Sequence, residues 1–362
     1  MPDERAMMPI AATRQEVAVQ SQFVTRALDE AEKQVRELAQ TLAARPTKQI
    51  LASGSGDSWF AAQAVRLAWE QIAGLPFEAY QAYEYASYGR SQEDEHTAHF
   101  VISSSGRPTT TWDALDRALA SGAYVVGITD NPAPDNPFVS KVASALIPRA
   151  VKVGWPTQTT TATVALLLDL AIATGEARGF LPAHEAARLA RNLRVVTRQM
   201  ASVLAESVSW AEQLAPALAG QRLYTLVGGG PSFAVSQMGS ALLAEGPQEM
   251  GLALTVEEFH HALRIATLRE GEPVILIAPA GATADRCRDT ARVVRQWGAR
   301  LLALVTPQTG DMLDESGDGL LLPSVFEPFS PLLTVLPLQA LSIALASQKV
   351  AGDYRRPESV PQ

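Results

Sequence analysis

Apolar residues recur at helical spacing between residues 13 and 43, where Val17, Phe23, Val24, Ala27, Leu28, Ala31, Val35 and Leu38 share one face. Beyond that stretch the pattern changes. Short apolar runs appear, each closed by a glycine- or serine-rich turn and followed by an amphipathic segment. Gln49–Ala52, Phe100–Ser103, Tyr124–Thr129 and Ala143–Ile147 read as strands, and Ser58–Ile72, Trp112–Ala120 and Thr160–Thr174 as helices. Segment 175–183, with two glycines and a proline, reads as a linker. A long helix is predicted over 184–217, and then the alternation starts again. Its strands are Leu223–Val227, Pro273–Ala278 and Arg300–Thr306. Its helices are Phe233–Ala244, Thr283–Trp297 and a last one near 332–350. Strands alternating with helices predict parallel sheets with crossovers, the doubly wound α/β class.

The restart is a repeat. A shift of 174 residues lays Gly54, Gly56 and Ser58 on Gly228, Gly230 and Ser232, and Glu84 and Tyr85 on Glu258 and Phe259. Strand Tyr124–Thr129 meets Arg300–Thr306 at a shift of about 177. Near-constant register over this length points to a tandem duplication. The expected organisation is a helical extension packing on the core (1–44), a first α/β domain (45–180), a second (181–350) and a tail (351–362).

Composition narrows the class. With 47% apolar and 19% charged residues the chain is expected to be ordered and globular, and its 362 residues are enough for two domains. A net charge of −8 argues against a nucleic-acid partner. It leaves room for a small anion, because backbone dipoles bind one locally. Cys287 is the one cysteine, which excludes an intrachain disulfide, and its setting reads as an inert thiol. The first residues, MPDERAMMPIAATRQEV, lack the apolar run of a leader, and the stretches 163–173 and 332–345 read as too short or too broken to span a membrane. A cytoplasmic, membrane-free protein is expected.

In a doubly wound sheet, ligands sit at the carboxyl ends of the strands. Two turns fall there: Gly54-Ser55-Gly56-Asp57-Ser58 and Ser103-Ser104-Ser105-Gly106-Arg107-Pro108-Thr109-Thr110-Thr111. The second places six hydroxyls in nine positions at a strand-to-helix junction. Hydroxyls and helix-start amides donate hydrogen bonds to an anion without carrying charge. Capping alone also favours serine and threonine, but it needs one or two of them, not six. The corresponding turn of the second half, Ala278-Pro279-Ala280-Gly281-Ala282-Thr283, has lost nearly all its hydroxyls, so the two halves have diverged. Gly54-x-Gly56 also matches the start of a dinucleotide fingerprint, but Trp59 occupies the third glycine position and nicotinamide binding is not expected.

Together GSGDSWFAA (54–62), SSSGRPTTT (103–111), GGGPSFAVSQMGSALLAEGPQEM (228–250) and EEFHHA (257–262) resemble the sugar isomerase (SIS) domain family in its tandem, flavodoxin-like form, over about residues 45–350. The nearest likeness is to the isomerase half of glucosamine-6-phosphate synthase and to stand-alone phosphosugar isomerases and deaminases. The resemblance implies phosphate held by the serine-rich turn, through Ser103, Ser104, Ser105 and Thr109 together with Gly56 and Ser58. It implies Glu245 as the base that moves a proton between C1 and C2, and His261 as the group that opens the sugar ring. Glu84, Glu258 and Arg355 are further candidates. The resemblance also implies a homodimer in which the histidine serves the neighbouring subunit's site, with an anionic, phosphorylated sugar as partner and no metal or redox cofactor.

The implied chemistry fits the residue types. A carboxylate with a raised pKa can lift and return one proton, and histidine titrates where ring opening needs it. Departures from the pattern leave other readings open. The lysines common in the family are replaced by Gln158 and Leu242, and no lysine follows Lys349. No N-terminal catalytic cysteine is present, so glutamine-dependent synthesis is not expected. The expected function is an aldose–ketose isomerase or amino-sugar-phosphate deaminase working through a cis-enediol or enolamine. A fructosamine-6-phosphate deglycase and a non-catalytic phosphosugar sensor are the alternatives.

Overall fold

The computed structural model describes residues 4–89, 93–133 and 135–351. The chain divides into two compact units. One is built from Ser21–Val151 and Gln158–Arg198. The other takes the chain up to Gln20, the segment Lys152–Thr157 and the chain from Gln199 onward. Helices α1 (Glu4–Ala44) and α7 (Ala183–Leu218) each contribute to both.

The first unit carries a five-stranded parallel sheet. Its elements run β1 (Gln49–Gly54), α2 (Asp57–Ile72), β2 (Phe77–Gln81), α3 (Ala82–Tyr88), β3 (Thr97–Ile102), α4 (Thr110–Ala120), β4 (Tyr124–Ile128), α5 (Pro137–Lys141), β5 (Ser144–Leu146) and α6 (Gln158–Ala177). The strand order is β2-β1-β3-β4-β5. Central strands are buried along nearly their whole length, β3 at all six positions. A parallel sheet covered by helices on both faces requires this, and it is why these strands read as unbroken apolar runs.

The second unit repeats the plan. After α7 come β6 (Tyr224–Gly228), α8 (Pro231–Glu245), β7 (Gly251–Thr255), α9 (Leu263–Thr267), β8 (Pro273–Ala278), α10 (Ala284–Gln296), β9 (Arg300–Val305), β10 (Leu320–Leu321), α11 (Pro331–Thr334) and α12 (Leu336–Ala351). Read from its β7 edge, the sheet order is β7-β6-β8-β9-β10, which is the order of the first sheet under the substitution of β6 for β1. The tandem doubly wound class expected from the sequence is the observed one.

Several elements were not foreseen. β2 and β7 lie at sheet edges, where only Phe77 of β2 and Leu254 of β7 are buried, so neither carries an apolar run. α1 begins at Glu4, earlier than its periodicity implied. The linker is shorter than 175–183, because α6 continues to Ala177 and α7 starts at Ala183. The apolar stretches 163–173 and 332–345 sit inside longer segments, Gln158–Ala177 and Glu327–Val350, that do reach membrane-span length and hydropathy. Their most apolar windows are 83% and 100% buried inside the fold, so they are core helices, as α6 shows with its run of buried residues from Gln158 to Ile172.

Candidate functional site

β1 and β3 are neighbours in register, so their exit turns open side by side at the carboxyl edge of the first sheet. After β3 the chain turns sharply. Gly106 has φ +62, and a Cβ there would lie 2.9 Å from Asn136 Nδ2 and 3.0 Å from Thr129 Oγ1, so glycine suits both the conformation and the space. Thr109 caps α4, its Oγ1 accepting from Thr111 N at 3.3 Å, which leaves its hydroxyl hydrogen free to donate outward. Ser103 is buried at the turn's base, and Ser105 and Thr109 are exposed at its rim. Among the described residues, the hydroxyls of Ser58 and Ser103 bond no other protein group.

Ser104 departs from the expected pattern. Its hydroxyl donates to Asp130 Oδ2 at 2.6 Å, so it braces the turn and its hydrogen is not available to a ligand. Asp130, at the end of β4, also accepts from Ala150 N at 3.1 Å and donates its own N–H to Ser104 O at 2.9 Å. One carboxylate therefore holds the serine turn and the 149–151 segment together. Burial pushes its pKa up to about 6, against the lowering effects of Ser104 and the Ala150 amide. Gln158, in place of a family lysine, donates to Val151 O at 2.6 Å and braces the same segment.

The neighbouring β2–α3 turn is tied in by Gln81. It donates to Ser55 Oγ at 3.3 Å and accepts from Glu84 N at 2.9 Å, which leaves the Glu84 side chain exposed at the edge. Beneath lies a buried relay that the sequence did not reveal. His99 Nδ1 is 2.7 Å from Glu93 Oε2, and its Nε2 is 3.0 Å from Ser53 Oγ. Tyr85 OH donates to the other Glu93 oxygen at 2.5 Å. A carboxylate only accepts, so Nδ1 carries the hydrogen and donates it to Glu93, while Nε2 pairs with the Ser53 hydroxyl. The relay fixes the helix of Glu84 to the strand that feeds the first turn.

In the second unit, Glu245 is the last residue of α8. Trp155 packs against the next residue, Gly246, and the Trp155 N–H donates to Thr13 Oγ1 at 2.9 Å, while Glu16 accepts from Val153 and Gly154. This anchored segment carries Lys152. Glu245 is open to solvent on its outer side, yet the protein around it raises its pKa by desolvation, with Lys152 opposing. Lys152 is a cation near Glu245 that motif reading missed, because it stands outside the family's lysine positions. Leu242, where the family has a lysine, is buried in the core.

His261 lies elsewhere. It follows β7 at the carboxyl edge, exposed, with Nε2 3.4 Å from Glu257 Oε1. Its neighbour His260 points inward to Thr290 Oγ1 at 2.9 Å, and burial followed by Arg286 lowers its pKa. Glu258 is exposed, its N–H bonded to Thr255 Oγ1 at 3.2 Å, as Glu84 is to Gln81 in the first unit. α8 descends from the carboxyl edge to the amino edge over 15 residues, about 22 Å at the standard rise. Glu245 and His261 of one chain therefore stand at opposite ends of the second sheet. Arg355 lies outside the described residues.

Two repeated flavodoxin-like sheets, with a hydroxyl-rich turn at the carboxyl edge of the first, define a tandem doubly wound α/β protein. Residues 45–172 match the SIS domain. The chain is 27% identical over 311 residues to the isomerizing glutamine–fructose-6-phosphate aminotransferase of Synechocystis, covering 83% of this chain and 48% of that protein. It spans about half the length of the curated relatives it matches. Its fold overlays the C-terminal domain of glucosamine-fructose-6-phosphate aminotransferase from Francisella tularensis with a TM-score of 0.82 at 17% identity, over 94% of this chain and 96% of the other. It also overlays glucosamine-6-phosphate deaminase from Thermotoga maritima with a TM-score of 0.73 at 16% identity, over 93% and 95%. The first unit thus matches the SIS domain, the second repeats its strand order, and the whole resembles in fold the aminotransferase's C-terminal domain and the deaminase.

Proposed function

We propose that the chain is a phosphosugar enzyme, an aldose–ketose isomerase or an amino-sugar-phosphate deaminase. The observation that carries this reading is the serine turn: Ser103, Ser105 and Thr109 offer hydroxyls around the start of α4, and Ser58 and Gly56 border it from the adjacent turn. Donors of this kind suit a phosphate in a chain of net charge −8, because they bind it without a cation. Glu245 takes the role of proton shuttle, with a pKa raised toward the range where a carboxylate can both accept and return a proton. His261, oriented by Glu257, takes the role of ring opener, acting in a second copy of the chain. The matches to enzymes that handle fructose 6-phosphate and glucosamine 6-phosphate support this substrate class.

Binding is tested by calorimetric titration with fructose 6-phosphate and glucosamine 6-phosphate. Replacing Ser103 and Ser105 by alanine is expected to weaken affinity by about tenfold or more, since each lost hydrogen bond to a charged group is worth about 1.5 kcal/mol or more. An unchanged affinity moves the phosphate elsewhere. The missing family lysines favour a non-catalytic sensor, and the burial of Leu242 in place of one of them is part of that case. A sensor shows a ligand-induced rise in Tm with no turnover, and a deglycase is set apart by release of an amino acid from a fructosamine 6-phosphate.

A further inference from the structure

The two units share a topology, so each feature at the carboxyl edge of one has a counterpart in the other. β1 corresponds to β6 and β3 to β8. The counterpart of the paired turns at Gly54–Ser58 and Ser103–Thr109 is therefore the pair at Gly228–Ser232 and Ala280–Thr283. The second pair has no serine-rich run, but a negative group sits in it. Glu327, from the 3-10 turn Glu327–Phe329, places both carboxylate oxygens 3.2 Å from Ala282 N. The carboxylate lies flat on Gly281, where any Cβ would collide with it, and Oε1 is 4.0 Å from the Cβ position of Gly230. The two turns thus wall one anion between them.

How that charge is met is informative. Among the described residues Glu327 makes no ion pair. It is answered by the Ala282 amide and by the start of α10, a 13-residue helix. Its backbone is anchored by Pro328 and Phe329, both buried, with the Phe329 ring set edge-on against Phe326. A flexible surface glutamate has neither this seat nor this anchor. The missing hydroxyls fit as well: Ala280 donates its N–H to Thr306 Oγ1 at 2.9 Å, and a carboxylate with two oxygens needs fewer donors than a phosphate.

We propose that Glu327 is a built-in anion. It fills, in the second unit, the position that the first unit offers to a phosphate, so the chain takes one phosphorylated ligand, through its first unit. The inference rests on the anion-binding reading of the first unit for its meaning, but its test does not.

The test follows backbone amides of the full-length chain labelled with 15N-alanine and 15N-serine, during titration with inorganic phosphate. In the unmodified protein the amides of Ser103 and Ser105 are expected to shift and that of Ala282 to stay still. In Glu327→Ala, Ala282 is expected to respond at a phosphate concentration at least about tenfold below any response in the unmodified protein, equivalent to about 1.4 kcal/mol. Glu327→Gln keeps the size and one acceptor but loses the charge that excludes phosphate. It is expected to respond too, and it serves if the alanine variant does not fold. An Ala282 amide that ignores phosphate in the folded variants overturns the proposal, as does one that responds in the unmodified protein at the same phosphate concentration as in the variants. Silence of Ser103 and Ser105 throughout instead overturns the first-unit reading, and Ala282 still decides the role of Glu327.

Discussion

Asp130 shows how one buried side chain governs a turn that a motif search reads as serines alone. Its pKa of about 6, against 3.8 for an unburied aspartate, means the folded chain holds a proton between those values that the unfolded chain has released. Its contribution to stability therefore falls as pH rises from about 4 to 6, and above about 6 the charged form carries the full cost, about 3 kcal/mol. Asp130→Asn keeps an acceptor for the Ala150 amide and a polar partner for Ser104. It is expected to flatten this part of the stability profile, measured as urea unfolding free energy against pH; an unaltered slope rejects the assignment. His99 makes a second residue-scale case. His99→Ala leaves the Glu93 carboxylate, 2% exposed, with Tyr85 but no imidazole, and a loss of about 3 kcal/mol is expected in the same assay. Neither residue was legible in the sequence. Asp130 stands 26 residues from Ser104 and His99 stands 46 from Ser53, and no motif spans those distances. The serines and glycines were legible because their chemistry is concentrated in one short turn.

At the scale of elements, the central strands and long helices were readable because burial forces a periodic pattern on them. The edge strands β2 and β7 were not, since one open side removes the pattern that would announce them. The same limit hid the surroundings of Glu245. The helix ending there was foreseen one residue short, but the segment beside it comes from Lys152–Trp155, nearly a hundred residues earlier, and is held by α1 through Thr13 and Glu16. Lys152 favours the charged form of Glu245. Lys152→Ala is therefore expected to raise the carboxyl pKa further and move the acid limb of the kcat/KM profile to higher pH, with the alkaline limb in place. An acid limb that stays put, or moves to lower pH, contradicts the assignment of Glu245 as the titrating base.

At the scale of the whole molecule, two sheets share one strand order while the turns at their carboxyl edges have diverged. The repeat was visible in the sequence from Gly54/Gly228 and Glu84/Glu258, and so was the divergence of the second turn. That a carboxylate fills the second turn was not, because Glu327 lies 45 residues beyond Ala282. Placement of Glu245 and His261 at opposite ends of the second sheet gives the shared-site reading a direct consequence. Chains carrying Glu245→Gln and chains carrying His261→Ala, each inactive alone, are expected to regain partial turnover when unfolded together and refolded as a mixture. A mixture as inactive as its components contradicts a site built from two copies. The central claim, proton transfer between C1 and C2 of a sugar phosphate, is tested most directly by proton NMR in D2O with glucosamine 6-phosphate, fructose 6-phosphate and a fructosamine 6-phosphate in parallel. Deuterium entering C1 or C2 of at least one of them, and lost in Glu245→Gln while the ligand still binds, is the predicted result. Binding without exchange in the unmodified protein, or exchange that survives in Glu245→Gln, would contradict it.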